Sequence, residues 1–594
     1  MDLLFSRINV TFVDWSNGKN NVMTMKRFTK YCLVFVVGCL TAMAANARTI
    51  NIDVNTIKGD LTQQLRDRCS KATRNDVVVL NFGEGTYTVS GTIRLECNTV
   101  IKGAGRGLTT ILLDNGSDRG SFRAFPDDTY FRITGTLKSP ITVDISDLTI
   151  RLKEHKGLWW GQKGKDIERY AVKIYHANRV DIHDVDSYMD NAQITNFDLR
   201  VCSNVTVTNC TISNYNNSET GGCLWIRGEM HNIQVKNNKF YKYGKDETLA
   251  IFDRVVDNTS KYVRGKASRS DIYVEDNEFY YGGYKGKNKQ DPEANCGMVF
   301  SLFTDHEKSK DRCITRNFHL RGNKFYINEV TTRCMYIGFD PADVHEGIYI
   351  ENNEIINDEI KRNYAFYHKD FEIHDLSNCG DTIHITSNTV RNKALVVNSH
   401  GKTGYMFMQT RGGIIGVHGN QIVNEVSRNK KTGKSYGMQL IWCQFEGGDV
   451  TLTSNVCKGL SHIAYVGGGE GTPLFTLKAR NNYFEGDTRV YSHKIKEMNL
   501  NFTNNTFRSN TSNFFLQEFA PKGSVVFNSN DVTVTSGDGQ FMTHTGKSST
   551  HSMRFERLEV QGNIFKGVRN EKEMFRNVTN VRKRTVKSNR ISRY

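Results

Sequence analysis

The sequence predicts an all-β chain, a single-stranded right-handed parallel β-helix with an N-terminal helical cap. Three observations carry that prediction. A short unit recurs from Val205 to Ile591, reading apolar-x-apolar, one or two residues, Asn, one residue, then an apolar or aromatic residue; examples are VTVTNCTI, IQVKNNKF, IYIENNEI, LNFTNNTF and LEVQGNIF. The closest copies lie about 23 to 27 residues apart, shorter than the ~40 residues a propeller blade needs. Each copy alternates apolar and polar residues, the pattern of a strand with one buried face. One such unit cannot bury its face alone, so stability requires a stacked array.

The elements follow in order. Asp60–Ala72 (DLTQQLRDRCSKA) has helical spacing at Leu61, Leu65 and Cys69, which suits a cap over the open end of the core. Coils then run from about residue 77 to 591, within one domain spanning 48–594. The repeated Asn is expected to occupy the left-handed turn between strands and to bond to its equivalent one coil away.

Residues 1–47 stand apart. Met1 to about Val22 reads as an overextended start, and Lys26, Arg27 and Lys30 precede an apolar run from Tyr31 to Ala44 ending in Ala45-Asn46-Ala47. That is the layout of a secretory signal peptide, too short to serve as a transmembrane segment. The expected location is the periplasm or cell surface of a Gram-negative bacterium; lipid anchoring at Cys39, in Val36-Val37-Gly38-Cys39, is the alternative. The whole chain carries +16, and residues 48–594 hold 74 basic against 61 acidic residues, or +13. A secreted protein of that charge is suited to a polyanion. No finger spacing or basic helix suggests nucleic acid, and a monomer is expected. Of 13 cysteines, 11 follow residue 47, irregularly spaced and without a C-x-x-C pair, so no zinc site or full disulfide framework is expected. Cys202, Cys210, Cys223, Cys443 and Cys457 read as small buried hydrophobes, and one bridge among Cys296, Cys313 and Cys334 is left open.

Gly85-Thr86-Tyr87, Ile101-Lys102-Gly103-Ala104-Gly105 and Thr110-Ile111 resemble the opening coils of the pectin-lyase-like superfamily. Together with the Asn units, the resemblance spans nearly all of residues 48–594. It implies the β-helix and a carbohydrate-active role, while leaving the reaction open, because this scaffold hosts lyases, hydrolases, epimerases and non-catalytic proteins.

Residues beyond the minimum coil length must protrude as loops, where function concentrates. Such inserts carry Trp159 and Trp160, Arg264, and Lys285 among further Lys, Arg and Tyr residues. Aromatic faces stack on sugar rings and cations attract carboxylates, so these are candidate substrate-binding residues. The ends of the strands preceding each Asn unit, aligned, stack His176, Asp198, Arg227, Asp253 with Arg254, Asp305 with His306, Asp340, His368 with Lys369, and Arg411 into a charged column; His368 and Arg411 join the substrate-binding set.

The segment YGKDETLAIFDR places Lys245, Asp246 and Glu247 at the turn entering one such strand. The resemblance implies acidic residues there that hold calcium in lyases or act as acid and base in hydrolases. Asp246, Glu247 and Asp253 are accordingly candidate ligands for Ca²⁺, a hard cation that prefers oxygen donors. The expected reaction is β-elimination on an acidic polysaccharide, a glycosaminoglycan ranked just above a pectin-like polymer. Lys245, Arg254 or His306 would serve as base and Arg227 as neutraliser of the uronate. The pectate-lyase Trp-Ile-Asp-His motif is missing. The alternatives are a hydrolase resembling polygalacturonases and a glycan-binding β-helix without catalysis.

Overall fold

Strands that each bury one face must stack on equivalents from neighbouring coils, and in this chain they do so in parallel. The computed structural model describes residues 47–593 except 115–128, 154–169, 191–193, 216–220, 244–246, 253–267, 283–297, 305–312, 328–332, 358–367, 378, 397–403, 427–435, 444–445, 519–521, 544–553 and 579. One coil consists of Met230–Lys236, Lys239–Tyr243 and Leu249–Phe252; the next consists of Ser268–Glu275, Glu278–Tyr281 and Met298–Phe303. Ile233 lies level with Ile272, Phe240 with Phe279, and Leu249 with Phe300. Repetition of this step builds three parallel sheets around one core. The hand is the right-handed one that parallel crossovers adopt in nearly all proteins.

The core is a stack of identical positions. Phe240, Phe279 and Phe325 superpose with ring centroids 4.9 and 4.7 Å apart, matching the spacing of neighbouring strands. The N-terminal opening is covered by the helix Leu61–Cys69, capped by the Asp60 side chain, which accepts from the Gln63 amide. Its buried Leu65 and Cys69 join the core.

The asparagines form a continuous ladder from Asn238 through Asn277, Asn323, Asn353, Asn388, Asn420, Asn455, Asn482, Asn505, Asn530 and Asn563 to Asn589. Their left-handed role, however, belongs to the residue before each. Asn237, Asp276, Asn352, Ser387, Ser454 and Asn504 have φ between 53° and 58°, and Gly322, Gly419 and Gly562 take the same place. The division of labour is physical: the left-handed residue needs only a small polar side chain at the surface, whereas the next must turn inward and satisfy buried amides.

Asn420 illustrates the dependence. Its Oδ1 accepts from the Asn388 backbone N–H at 2.8 Å and from Asn388 Nδ2 at 3.0 Å. Its own Nδ2 donates to Ile385 O and to Asn455 Oδ1. Asn420→Ala is expected to cost about 1–3 kcal/mol, because buried donors lose their acceptor, and to lower the urea midpoint.

Among the described residues nine cysteines are free and buried, Cys313 and Cys334 among them. Burial pushes the Cys69, Cys202, Cys210, Cys223 and Cys443 thiols up to about 12. A thiolate is the reactive species, so these groups are inert in the folded state. Mass spectrometry after alkylation is expected to find all nine unmodified in the native protein and modified after denaturation. Among the described residues, no helix is long and apolar enough to cross a membrane.

Candidate functional site

The third sheet, formed by the last strand of each coil, points unusual residues outward. Leu224 and Ile226 fill the core, so Trp225 and Arg227 face the other way. By register the outward side chains form two rows. One runs Lys173, Asp198, Trp225, Ala250, Ser301, Tyr336, Glu372, Gln409 and Trp442; the other runs Tyr175, Arg200, Arg227, Phe252, Phe303, Gly338, His374 and Arg411. Asp198 is thus level with Trp225, and Arg227 with Arg200. The single charged column expected from aligned strand ends is two offset rows, because alternate residues of one strand share a face.

At one end Asp198 is clamped by two guanidinium groups, with Arg200 Nε 2.6 Å from Oδ2 and Arg227 Nε 2.7 Å from Oδ1. Arg200 also donates to the Tyr170 and Tyr175 hydroxyls at 2.7 and 2.9 Å. These side chains are at most 2% exposed although they stand on the outward face. Burial opposes the Arg200 charge, but Asp198, Tyr170 and Tyr175 outweigh it and hold the pKa above its ordinary value. Arg227 lies over the Trp225 ring at 4.4 Å and the Phe252 ring at 4.9 Å.

In the middle of the face, Arg333 Nε and Lys369 Nζ approach Glu372 Oε2 at 2.6 and 2.8 Å, and His374 Nε2 lies 3.0 Å from Oε1. Burial of Glu372 opposes its ionisation, yet His374, Lys369 and Arg333 together hold the carboxyl well below the usual carboxylate range. His374 is 21% exposed and packs edge-on against Tyr336, with centroids 5.4 Å apart. Burial raises the Tyr336 hydroxyl.

Glu247 enters the strand Leu249–Phe252. Since Leu249 is level with Phe300 and Phe300 with Met335, Glu247 stands level with Arg333 two coils on. Burial pushes its carboxyl above the usual range against the pull of Lys242, Arg227 and Arg333. Glu247, two coils from Arg333, and Glu372, paired with it, are therefore displaced in opposite directions.

Of the residues singled out from sequence, Arg227, Glu247 and Arg411 stand on this face without meeting, Arg227 and Arg411 being separated along the helix axis by Phe252, Phe303, Gly338 and His374. Arg411 Nη2 lies 3.3 Å from Glu446 Oε1. His368 does not stand there: it is fully buried at a coil corner, 3.2 Å from Asp370, which also accepts from the Tyr405 hydroxyl at 2.6 Å. That makes His368 part of the internal polar network rather than a surface for substrate. Trp159, Trp160, Lys245, Asp246, Asp253, Arg254, Arg264, Lys285 and His306 lie outside the described residues. Among the described residues, no group of three or more His, Cys, Asp or Glu side chains is arranged to hold a metal. Glu247, the described member of the calcium set, is surrounded by cations, which suits an anion better than a second cation. Sequence reasoning missed Arg333, Tyr336, Glu372 and His374. The signal was present in FEIHD, where Phe371 and Ile373 point inward and a carboxylate and an imidazole point outward.

No family model matches the chain, and no curated protein matches it. Solved structures do show likeness. A GH87 α-1,3-glucanase catalytic unit from Streptomyces thermodiastaticus is 11% identical, with 92% of this chain and 70% of that chain covered and a TM-score of 0.32. An exopolygalacturonase from Thermotoga maritima is 12% identical, with 76% and 91% covered and a TM-score of 0.33. A tailspike protein of an E. coli bacteriophage, in complex with a pentasaccharide, is 12% identical, with 88% and 76% covered and a TM-score of 0.40. At these values they carry nothing about activity. The winding and registers themselves define a right-handed parallel β-helix with an aromatic and cationic outward sheet face.

Proposed function

We propose that this face binds an acidic polysaccharide and cleaves it by β-elimination. The observation that carries the reading is the His374–Glu372 pair flanked by Arg333, Lys369 and Tyr336. Elimination removes the proton beside a uronate carboxylate, and the developing negative charge must be neutralised. Arg333, one coil from His374 and partly exposed, supplies charge for that carboxylate, while Arg227 and Glu247, four and three coils away, lie beyond its reach. His374, oriented by Glu372, accepts the proton. The electron pair forms the new carbon–carbon double bond as the bond to the leaving oxygen breaks, and Tyr336 stands beside His374 as the donor to that oxygen. Phe252, Phe303 and Tyr336 provide a run of ring contacts for the sugar chain, with neighbouring centroids 5.1 and 6.0 Å apart.

A hydrolase is the second reading, favoured by two carboxyls with oppositely displaced pKa values. Glu372 weighs against it, since Arg333, Lys369 and His374 occupy both its oxygens and its side chain is 2% exposed. A carboxylate so held orients its partners instead of attacking a sugar.

The test is absorbance near 235 nm (the unsaturated uronate) during incubation with uronic-acid polysaccharides, with calcium and with chelator. A rise supports elimination, and its loss in chelator would support calcium at Asp246, Glu247 and Asp253. New reducing ends without that rise would overturn elimination in favour of hydrolysis. Secretion as residues 23–47 suggest is part of the proposal, and a shortened N-terminus on protein recovered from the producing cell would test it.

A further inference from the structure

The face does not end at Arg411, and its chemistry changes there. Beyond Gln409 the register continues through Trp442, Tyr465, Tyr491 and Gln517. In the part already described, Lys173, Arg200, Arg227, Arg333, Lys369 and Arg411 supply repeated positive charge. The positions that continue these rows, Trp442, Tyr465, Gly467, Tyr491 and Gln517, together with Gln439 and His462 level with Lys369, carry no Lys or Arg, and His493 is level with Gly467. The nearby Arg489 is paired with Asp487, Nε 2.6 Å from Oδ1. Arg200 and Arg227 are likewise paired with Asp198, Arg333 and Lys369 with Glu372 and Arg411 with Glu446, so the contrast lies in how many cations the earlier stretch carries. Glu518, which hydrogen-bonds Tyr491, adds a carboxyl group unfavourable to an anionic sugar.

Two further features point to a ligand rich in hydroxyls or amides. Tyr465 and Tyr491 stack at 4.6 Å, and His462 meets both edge-on at 6.0 and 6.2 Å. Burial and Arg489 push His462 down to about 3, so the ring is neutral at ordinary pH. His462 Nδ1, Ser461 Oγ beside it in sequence, Gln439 Oε1 level with His462 and Gln517 Oε1 level with Tyr491 are buried without a hydrogen-bond partner among the described residues. Buried polar atoms are normally paired, so several unpaired ones beside an aromatic platform mark a place where an uncharged hydrogen-bonding group fits.

We infer that the Trp442–Gln517 stretch binds uncharged, acetamido-type sugar residues of the same glycan chain. The substrate is then a heteropolymer that mixes uronic acids with neutral amino sugars. This inference rests on the glycan-cleaving role proposed above. From the His374 coil to the Tyr491 coil is four coil steps, about 19 Å at roughly 4.8 Å per step, room for several sugar rings along the helix axis.

The test is titration calorimetry on the full chain carrying His374→Ala to prevent turnover. Three size-matched oligosaccharides are compared: alternating uronate and N-acetylhexosamine, uronate alone, and N-acetylhexosamine alone. The alternating chain is expected to bind about tenfold more tightly than uronate alone, equivalent to about 1.4 kcal/mol. Trp442→Ala and Gln517→Ala should each erase that advantage while leaving uronate binding unchanged, and Trp442→Phe should restore most of it. Equal affinity for the alternating and uronate chains, or equal losses in both, overturns the inference and leaves the acidic-glycan reading standing. Trp442-dependent binding of the uncharged chain with no uronate binding supports the neutral stretch and overturns the acidic-glycan reading. Binding of none of the three overturns both.

Discussion

His374→Ala is expected to slow turnover about 100- to 10,000-fold, the range for loss of a positioned general base, with little change in KM. His374 is partly exposed, its Nε2 lies 3.0 Å from Glu372, and its side chain fills no core position. The fold should therefore survive with only a modest drop in thermal midpoint, since Glu372 keeps Arg333 and Lys369, and a lost kcat beside that modest drop would separate a chemical role from a structural one. Glu372→Gln should act through His374, lowering kcat less and altering the pH profile, because the amide keeps the shape but loses the charge that orients the ring. An alanine variant with wild-type kcat would remove His374 from the reaction. Attention would then return to Lys245, Arg254 and His306 as bases.

The same carboxyls set the pH response. Glu247 has a raised pKa in the folded state, and its ionised form would repel an anionic sugar on this face, so glycan binding should weaken as pH rises through that raised value. Its linkage to stability has the same direction. Above the ordinary carboxylate range the unfolded chain has lost this proton while the folded chain retains it, so stability is lost as pH rises through the folded pKa. Glu372 works in the opposite sense. Its lowered pKa contributes stability above the unfolded value, and that contribution is lost as pH falls through the folded value. Comparing Glu247→Gln and Glu372→Gln in urea across pH would resolve the two signs.

Much of the architecture was legible because it repeats. A buried face with period two and a fixed inward Asn leave little choice but stacked coils, and the ladder from Asn238 to Asn589 follows from a motif visible in the text. The exchange of roles between Asn420 and Gly419, or Asn388 and Ser387, was hidden because residues suited to a left-handed turn stand at both positions. The site was harder to read for a different reason. Function here depends on which residues are level across coils separated by inserts of varying length, and only register supplies that. Arg227 and Glu247 stood out through local charge, whereas Glu372 and His374 looked like the polar half of an ordinary alternating strand. His368 was misleading because a charged residue at a strand end also fits a coil corner, where Asp370 and Tyr405 satisfy it internally.

The largest stability effect is expected at Asp198. Its carboxylate is the shared counter-charge of Arg200 and Arg227, and all three side chains are at most 2% exposed. Asp198→Ala leaves two guanidinium groups close together in a poorly hydrated place, and breaking a buried ion pair from one side costs about 3–5 kcal/mol. A urea midpoint lowered accordingly is the expected result. Desolvation, not the number of bonds lost, should dominate that cost. Removing a cation in the same protein, as in Asp198→Ala with Arg227→Met, should then recover part of the loss, since the second change deletes a buried charge while keeping an apolar chain against Trp225 and Phe252. Simple additivity of the two losses would instead mean that these groups are hydrated in solution. Recovery of stability without recovery of glycan binding would assign Arg227 to function, retained on this face despite the energy needed to bury it.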